Sequence, residues 1–423
     1  MLKSVVEEPG SESRLRPAGS GSRRMSAAQT RQDLQQAAAD AHKARHEEFR
    51  TFVTLNVEPF AEQWDRDQQL PDSAISKLAQ CGYLGCSLPP DYDGEGWDLV
   101  TFGLLHEALG RGSSALAGVL TVQAMVSMAL LKWGTAEQKR KWLPPLAKGE
   151  MIAAFALTEP GAGSDLQSLA TKVAAQGDHF ILNGDKKWIS CAQFASVFLV
   201  FGKMEQRPVA CLVPRGSPGL SVEPITDLMG FRAAGLGQLH FENVEVAAAN
   251  LVGKPGFALS HVAPVGLHFG RISTACSALG LLRGCFEESI SHAAARRVGD
   301  RSVGQIGMIR SLIARMGTDL EAGRFLCHNA CGAQDAHLPE AFEKAFMAKY
   351  FTSRAAVRAA SDAVQIRGAS GCHGASPTSR FYRDAKIMEI IEGTTQIHED
   401  VLGKMFVDQA GRFGGGLRQP NFT

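Results

Sequence analysis

Near the end of the chain, Phe381, Ala385, Met388 and Glu392 recur at three- and four-residue spacing, which puts them on one face of a helix. The first three are apolar or small and the fourth is a carboxylate. Gly393, able to take a positive φ, ends that helix. A carboxylate on the last turn of an apolar face is poorly placed to ionise. The helix C-terminus carries partial negative charge, and apolar surroundings disfavour the charged form. Both effects raise its pKa toward the range in which a general base works near neutral pH. The same residue pointing to water would simply end a helix, and the helix alone does not separate the two readings.

A second constellation is Phe155-Ala-Leu-Thr-Glu-Pro-Gly-Ala-Gly-Ser-Asp165. A strand here runs into a loop that offers hydroxyls, glycines and free backbone N–H groups, which suit a polar ring edge or a pyrophosphate. A glycine turn with no ligand has the same composition. Gln365-Ile-Arg-Gly-Ala-Ser-Gly371 is a glycine-rich turn between helices. His268 and His398 have the chemistry of acid–base groups, though a structural histidine is the simpler reading of each. Cys327 and Cys331, with His328 between them, supply too few convergent ligands for a metal, so none is expected. Gly235-Leu-Gly237 lacks the third glycine and the following helix of a dinucleotide-binding turn.

The elements that must position these groups follow from length and pattern. A chain of 423 residues buries a large core divided into two or three domains. Its net charge of +1 gives no signal for nucleic acid or a membrane surface. Nine scattered cysteines without a Cys-x-x-Cys pair suit a reducing cytoplasm. Residues 1–30, rich in Ser, Gly, Pro and Arg, read as a disordered extension, with Met25 a candidate original start. Glu7, Glu8 and Glu12 argue against an organellar presequence.

Residues 31–152 read as an N-terminal helical domain. The run Ala115 to Leu131 approaches membrane-spanning length, but Thr121, Gln123 and Ser127 interrupt it, which predicts a buried helix. Residues 153–262 carry short β-like segments separated by turns such as Asn183-Gly184 and Pro218-Gly219, and predict a small barrel or sandwich. Residues 263–412 return to helical pattern as a C-terminal bundle, with a tail over 413–423. The fold class is therefore α+β, multi-domain.

Tyr382-Arg-Asp-Ala-Lys-Ile and Ile-Ile-Glu392-Gly-Thr-Thr-Gln-Ile resemble the catalytic-base segment of the acyl-CoA dehydrogenases. Trp133-Gly-Thr-Ala-Glu-Gln-Lys and Trp142-Leu-Pro-Pro-Leu are similar to the same family. Thr158-Glu-Pro-Gly-Ala-Gly-Ser-Asp165 and Lys187-Trp188-Ile-Ser190 match its two flavin-binding signatures. The resemblance spans roughly 45–410. It implies an FAD enzyme acting on acyl thioesters, in which Glu392 removes the α-proton while hydride passes to flavin N5. It implies cofactor contacts from Phe155, Leu157, Thr158, Gly163, Ser164, Trp188, Ile189, Ser190, Thr394 and Gln396. Arg296, Gln365 and Gly368 would reach the FAD of a neighbouring subunit, which implies a homodimer or homotetramer. Ser164, His268, Arg271 and Gly393 would meet the substrate.

Departures from the family pattern narrow the reading. Val298-Gly299-Asp300 replaces the usual Gln-Phe-Gly after Arg296, which removes an aromatic cofactor contact. Some members carry the base immediately before the arginine at position 271; Gly270 stands there, leaving Glu392 as the candidate. Nitroalkane oxidases place Asp at the base position and the related monooxygenases usually lack the carboxylate, so Glu392 argues against both. Gly230-Phe-Arg-Ala-Ala-Gly235 is similar to the acyl-carrier-protein dehydrogenases of polyketide extender-unit (methoxymalonyl-type) biosynthesis. That likeness implies a short polar acyl group on an acyl carrier protein. Arg232 and Arg271 are then a basic rim for an acidic carrier or buried structural arginines. Short-chain acyl-CoA dehydrogenation and an inactive flavin-binding scaffold are the alternatives, and the electron acceptor is not legible.

Overall fold

The computed structural model describes residues 27–409. The extension expected over 1–30 lies outside them except for its last residues, which begin helix α1 (Ala27–Asn56), and the tail over 413–423 lies outside them entirely. Residues 27–43 of α1 form a unit by themselves, and the chain from Ala44 onward forms the second. In that second unit α2 (Glu58–Asp67) and α3 (Asp72–Gln80) follow, with Pro71 at the start of α3 where its missing N–H costs nothing. Helices α4 (Leu99–Gly112), α5 (Ser114–Trp133) and α6 (Ala136–Ala147) complete the first helical block. Each has a side-chain N-cap: Asp98, Ser113 and Thr135 accept from Thr101, Leu116 and Gln138 backbone N–H groups. α5 is apolar on all sides and, as expected, lies in the core. It and the helical stretch Ala258–Ala295 are long and apolar enough to cross a membrane, and both are mostly buried inside the protein.

Strands β1 (Ala153–Ala156), β2 (Lys172–Gln176), β3 (His179–Ile189), β4 (Val197–Met204), β5 (Arg207–Pro214), β6 (Leu220–Pro224), β7 (Gly237–Ala247) and β8 (Leu251–Val252) form one sheet. Its order is β6-β7-β3-β2-β4-β5-β8, with β1 parallel to β4. Alternate residues of both halves, among them Leu182, Phe241, Phe198 and Val213, gather in one core separate from the helical one. The sheet thus curls over itself, as the period-2 pattern predicts.

The second helical block holds α7 (Ala263–Ala295), the two-residue strands β9 (Arg297–Val298) and β10 (Arg301–Ser302), α8 (Gly307–Asp335), α9 (Ala341–Arg367), α10 (Pro377–Ile390) and α11 (Thr395–Asp408). Small residues let α7 approach its neighbours. A Cβ on Gly110 of α4 or Gly280 of α7 would collide with the facing backbone carbonyls of Ser277 and Glu107. That close approach brings His106 Nδ1 to 3.1 Å from Ser277 Oγ.

Candidate active site

Helices α5, α7 and α10, the turn after α10, and the loops after β1 and β3 enclose one cavity of about 650 Å³. α5 contributes a continuous stripe: Ser114, Gly118, Thr121, Val122 and Met125. α7 contributes Leu267, Arg271, Thr274 and Ser277 at the same helical spacing. The two helices run antiparallel here, because a Cβ on Gly270 would lie 3.0 Å from Met125 Sδ while Gly110, just before α5, meets Ser277. The stripe from Met125 to Ser114 is eleven residues, so the trough runs for about 16 Å.

Glu392 lies beside Gly270 and Met125 at one end of that trough, and a Cβ on Gly270 would collide with its carboxylate. Its placement differs from the helix-face expectation. α10 ends at Ile390, Ile391 is extended, and Glu392 itself has φ 55°, followed by Gly393 at φ 98°. The carboxylate therefore follows the helix instead of standing on its last turn. Burial raises its pKa, to about 7, against the lowering effect of Arg271 and Lys349. Although the residue as a whole is half-buried, Oε2 is fully buried and accepts no hydrogen bond. The N–H of Glu392 donates to no described residue.

Positive φ at a non-glycine residue is costly and collects at functional sites. Trp188, Phe231 and Glu392 all have it and all line this cavity. Their surroundings hold them. Lys349, fully buried, donates to Gly393 O at 2.7 Å and Glu389 O at 3.4 Å. Burial lowers its pKa to about 7 against the pull of Glu392. Phe231 N–H donates to Asp384 Oδ1 of α10 at 2.7 Å. Arg271 is buried and stacks over Phe346, 4.2 Å from the ring centroid.

The loop after β1 is fixed from behind by a buried ion pair. Glu159 accepts from Lys186 Nζ at 2.7 Å, Thr171 Oγ1 at 2.6 Å and the N–H of Ala170 at 2.6 Å. Lys186 also donates to Leu157 O, and Lys187 N–H to Thr158 O. Burial opposes ionisation of Glu159, but the Lys186 and Thr171 hydrogen bonds outweigh it and hold its pKa below the usual range. The cavity wall so formed carries Phe155, Leu157, Thr158, Gly163 and Ser164 from one loop, and Trp188, Ile189 and Ser190 from the other. The Thr158, Ser164 and Ser190 side-chain hydroxyls make no hydrogen bond to described residues, Trp188 is 51% exposed, and a Cβ on Gly163 would meet nothing within 4 Å. A half-exposed indole, uncommitted hydroxyls and an open glycine loop fit a planar heteroaromatic ring with polar edges.

Of the residues marked out in sequence, Arg271, Glu392, Gly393 and Thr394 complete this wall. Six others lie elsewhere. His268 is one position, about 100° of helix, from the cavity-facing Leu267, and its Nε2 lies 2.8 Å from Gln334 Oε1 of α8. It is not on the substrate wall, contrary to the expectation. Gln396 is exposed on the first turn of α11, between the buried Thr395 and the cavity-lining Ile397. Arg296, Gln365 and Gly368 are exposed and line no part of the cavity. His398 is structural: its Nδ1 lies 3.1 Å from Thr394 O, and burial pushes its pKa down to about 4.

Neither arginine forms a basic rim: Arg271 is buried, and Arg232 is half-buried with its Nε enclosed. Sequence reading missed Lys349, whose signal was a lone cation on the Ala345–Ala348–Thr352–Ala356 face of α9. It also missed Phe231, Ser114, Thr274 and Ser277, ordinary residues that only packing brings to the cavity.

Two helical blocks flanking a curled sheet, with a lone carboxylate facing a wall built for a planar ring, define a flavin-dependent dehydrogenase. The chain belongs to the acyl-CoA dehydrogenase family: the family's N-terminal domain matches residues 39–150, its middle domain 154–244 and its C-terminal domain 260–406. It is 33% identical over 375 residues to a glutaryl-CoA dehydrogenase of Desulfococcus multivorans, covering 86% of this chain and 95% of that one. Among solved structures it is similar to FkbI, described for biosynthesis of the methoxymalonyl extender unit of the FK520 polyketide, with a TM-score of 0.79 and 29% identity over 86% of this chain and 99% of that one. It is also similar to the prolyl acyl carrier protein oxidase AnaB, with a TM-score of 0.82 and 26% identity over 86% and 98%. A glutaryl-CoA dehydrogenase from Mycobacterium smegmatis, TM-score 0.83 and 27% identity over 88% and 95%, is solved with FADH2. Enzymes of this family are FAD-dependent oxidoreductases, and FAD is the cofactor of this chain.

Proposed function

We propose that Glu392 is the general base of an acyl-thioester dehydrogenase whose acyl group arrives on an acyl carrier protein. The observation behind the first half is the buried, unpartnered Oε2 of Glu392 with its pKa at about 7, facing the ring-shaped wall. Bound FAD supplies the hydride acceptor. Glu392 takes the α-proton. Arg271 and Lys349 offset the burial that would otherwise keep it protonated. The free N–H of Glu392, presented by its left-handed backbone, is a donor for the thioester oxygen, whose growing charge in the transition state such a donor stabilises. Phe155, Leu157, Thr158, Gly163, Ser164, Trp188, Ile189, Ser190 and Thr394 would hold the ring side of the cofactor. Arg296, Gln365 and Gly368, exposed and away from this wall, would serve the site of a second copy in a homodimer or homotetramer. A monomer that retains stoichiometric FAD would remove that part.

The test of the base is Glu392→Gln: FAD should stay bound and flavin bleaching by substrate should slow by at least about a hundredfold. Bleaching at the wild-type rate rules Glu392 out. Carrier delivery draws support from the likeness to FkbI and AnaB and from Arg232-Ala-Ala-Gly235. The same acyl group is offered on CoA and on a carrier protein, and equal or better reduction by the CoA ester overturns carrier delivery. The nine free thiols accord with a cytoplasmic setting.

A further inference from the structure

The trough between α5 and α7 changes character along its length. Beside Glu392 it is apolar, lined by Met125, Val122 and Leu267. Farther along, the lining residues carry hydroxyls: Thr121, whose Oγ1 donates to Ala117 O, and Thr274, then Ser277 and Ser114. Ser114 is 0% exposed, and its Oγ has no hydrogen-bond partner. It is also the first residue of the 20-residue α5, where helix N–H groups and the positive end of the dipole gather. Ser277 Oγ pairs with His106 Nδ1, while His106 Nε2 is buried without a partner. An orphaned N–H is costlier than an orphaned acceptor nitrogen, so the proton belongs on Nδ1. His106 then donates to Ser277 Oγ, which frees the serine hydroxyl proton for the trough. Ser114, Ser277 and the helix terminus can therefore all donate to one ligand atom.

A donor set calls for an acceptor. A carboxylate is a poor match. The cations on the cavity wall are Arg271, stacked over Phe346 beside Glu392, and Lys386, paired with Glu389, so an anion at the far end would have the partial charge of the α5 terminus but no side-chain cation to balance it. His106 is no counter-ion, since burial pushes its pKa down to about 3. The oxygen that fits is neutral: a hydroxyl, ether or ketone. Its position follows from the helix. Ser277 lies seven residues beyond Gly270, about 10 Å along α7. An extended chain advances about 1.2 Å per bond, so that distance is about eight bonds from the α-carbon.

We infer that the far end of the trough, marked by Ser114 and the Ser277–His106 pair, is a subsite for a neutral oxygen carried by the acyl chain about ten carbons from its thioester. This rests on the reading of the cavity as an acyl-thioester site. It also departs from the expected short acyl group, because a short chain would leave the hydroxyls unmet.

The FAD-loaded enzyme is offered pantetheine thioesters of decanoic, 10-hydroxydecanoic and decanedioic acids, and flavin bleaching is followed. The hydroxylated ester should exceed the plain one about tenfold in kcat/KM, the worth of one well-formed hydrogen bond. The diacid ester should be the worst of the three. Ser114→Ala and Ser277→Ala should each shrink the preference toward unity, and Gly118→Phe should exclude both neutral ten-carbon esters. Equal rates for the two neutral esters, or a preference for the diacid, overturn the subsite. Calorimetry with non-reducible 3-thia analogues of the same chains reads the subsite by binding alone. If no thioester bleaches the flavin, the dehydrogenase reading fails while calorimetry still decides the subsite.

Discussion

Replacing Glu392 by Gln should make the folded protein more stable at alkaline pH while removing its proposed activity. The carboxyl has a pKa of about 7 in place and 4.5 in its unperturbed state. Between those values the unfolded chain has lost the proton and the folded chain has kept it. Folding stability therefore falls as pH rises through the window from 4.5 to about 7 and levels off above it. The total is the shift converted at about 1.4 kcal/mol per pKa unit, roughly 3 kcal/mol. Glutamine, neutral at every pH, does not carry that cost. For 423 residues the unfolding entropy near 60 °C is about 0.9 kcal/mol/K, so the variant's melting point should exceed the parent's by about 3–4 °C at pH 8. At pH 5 most of the gap should vanish. Scanning calorimetry of both FAD-loaded proteins at matched concentration and scan rate reads this directly. A gap of the same size at both pH values, or a less stable variant at pH 8, would show that burial does not hold the carboxyl's pKa near 7.

Gly270→Ala puts a methyl group against the flexible end of Glu392, so the protein should fold with normal FAD content but reduce its flavin at least about tenfold more slowly. Lys349→Met removes a cation that lowers the Glu392 pKa and frees the Gly393 carbonyl. The rate should rise with pH through about 7 in the parent, and its midpoint should move upward in the variant, seen in the pH profile of bleaching. Lys186→Met leaves Glu159 buried and unpaired, at about 3–5 kcal/mol; FAD should be lost on gel filtration, and a variant that keeps it would show that the loop is held by other contacts.

The order of helical, β and helical blocks was legible because each has its own hydrophobic period, and the strings around Thr158, Trp188 and Glu392 were legible because their residue types are uncommon together. What was not legible is what packing decides. Glu392 reads as a helix residue because Phe381, Ala385 and Met388 keep the period up to it, and nothing local announces that the helix stops at Ile390. His268 and Arg271 both sit on α7, but only rotation about the helix axis separates the cavity side from the α8 side. Ser114 and Ser277 are 163 positions apart and unremarkable in type, and they join one trough only through the close approach of glycines on α4 and α7.

The tie between Phe231 and Asp384 limits how this cavity can be remodelled. The Phe231 N–H bonds Asp384, Arg383 Nη1 lies 3.1 Å from Met229 O, and a Cβ on Gly230 would collide with the Arg383 carbonyl. The loop that walls the trough is thus clamped to the helix that leads into Glu392. Any substitution that moves the loop to admit a bulkier acyl group would also shift Glu392, the proposed base, coupling a gain in scope to a loss in rate. Among the described residues the opposite wall, α5, makes no hydrogen bond to α10 and is tied through Gln123 to Leu146, Met151 and Ala153. A Cβ on Gly118 would lie 3.7 Å from the Phe231 ring, in ordinary contact, and that stripe of α5 comes near Glu392 only at Met125. Chain-length preference in this enzyme is therefore free to drift along α5 while the 228–231 side stays fixed.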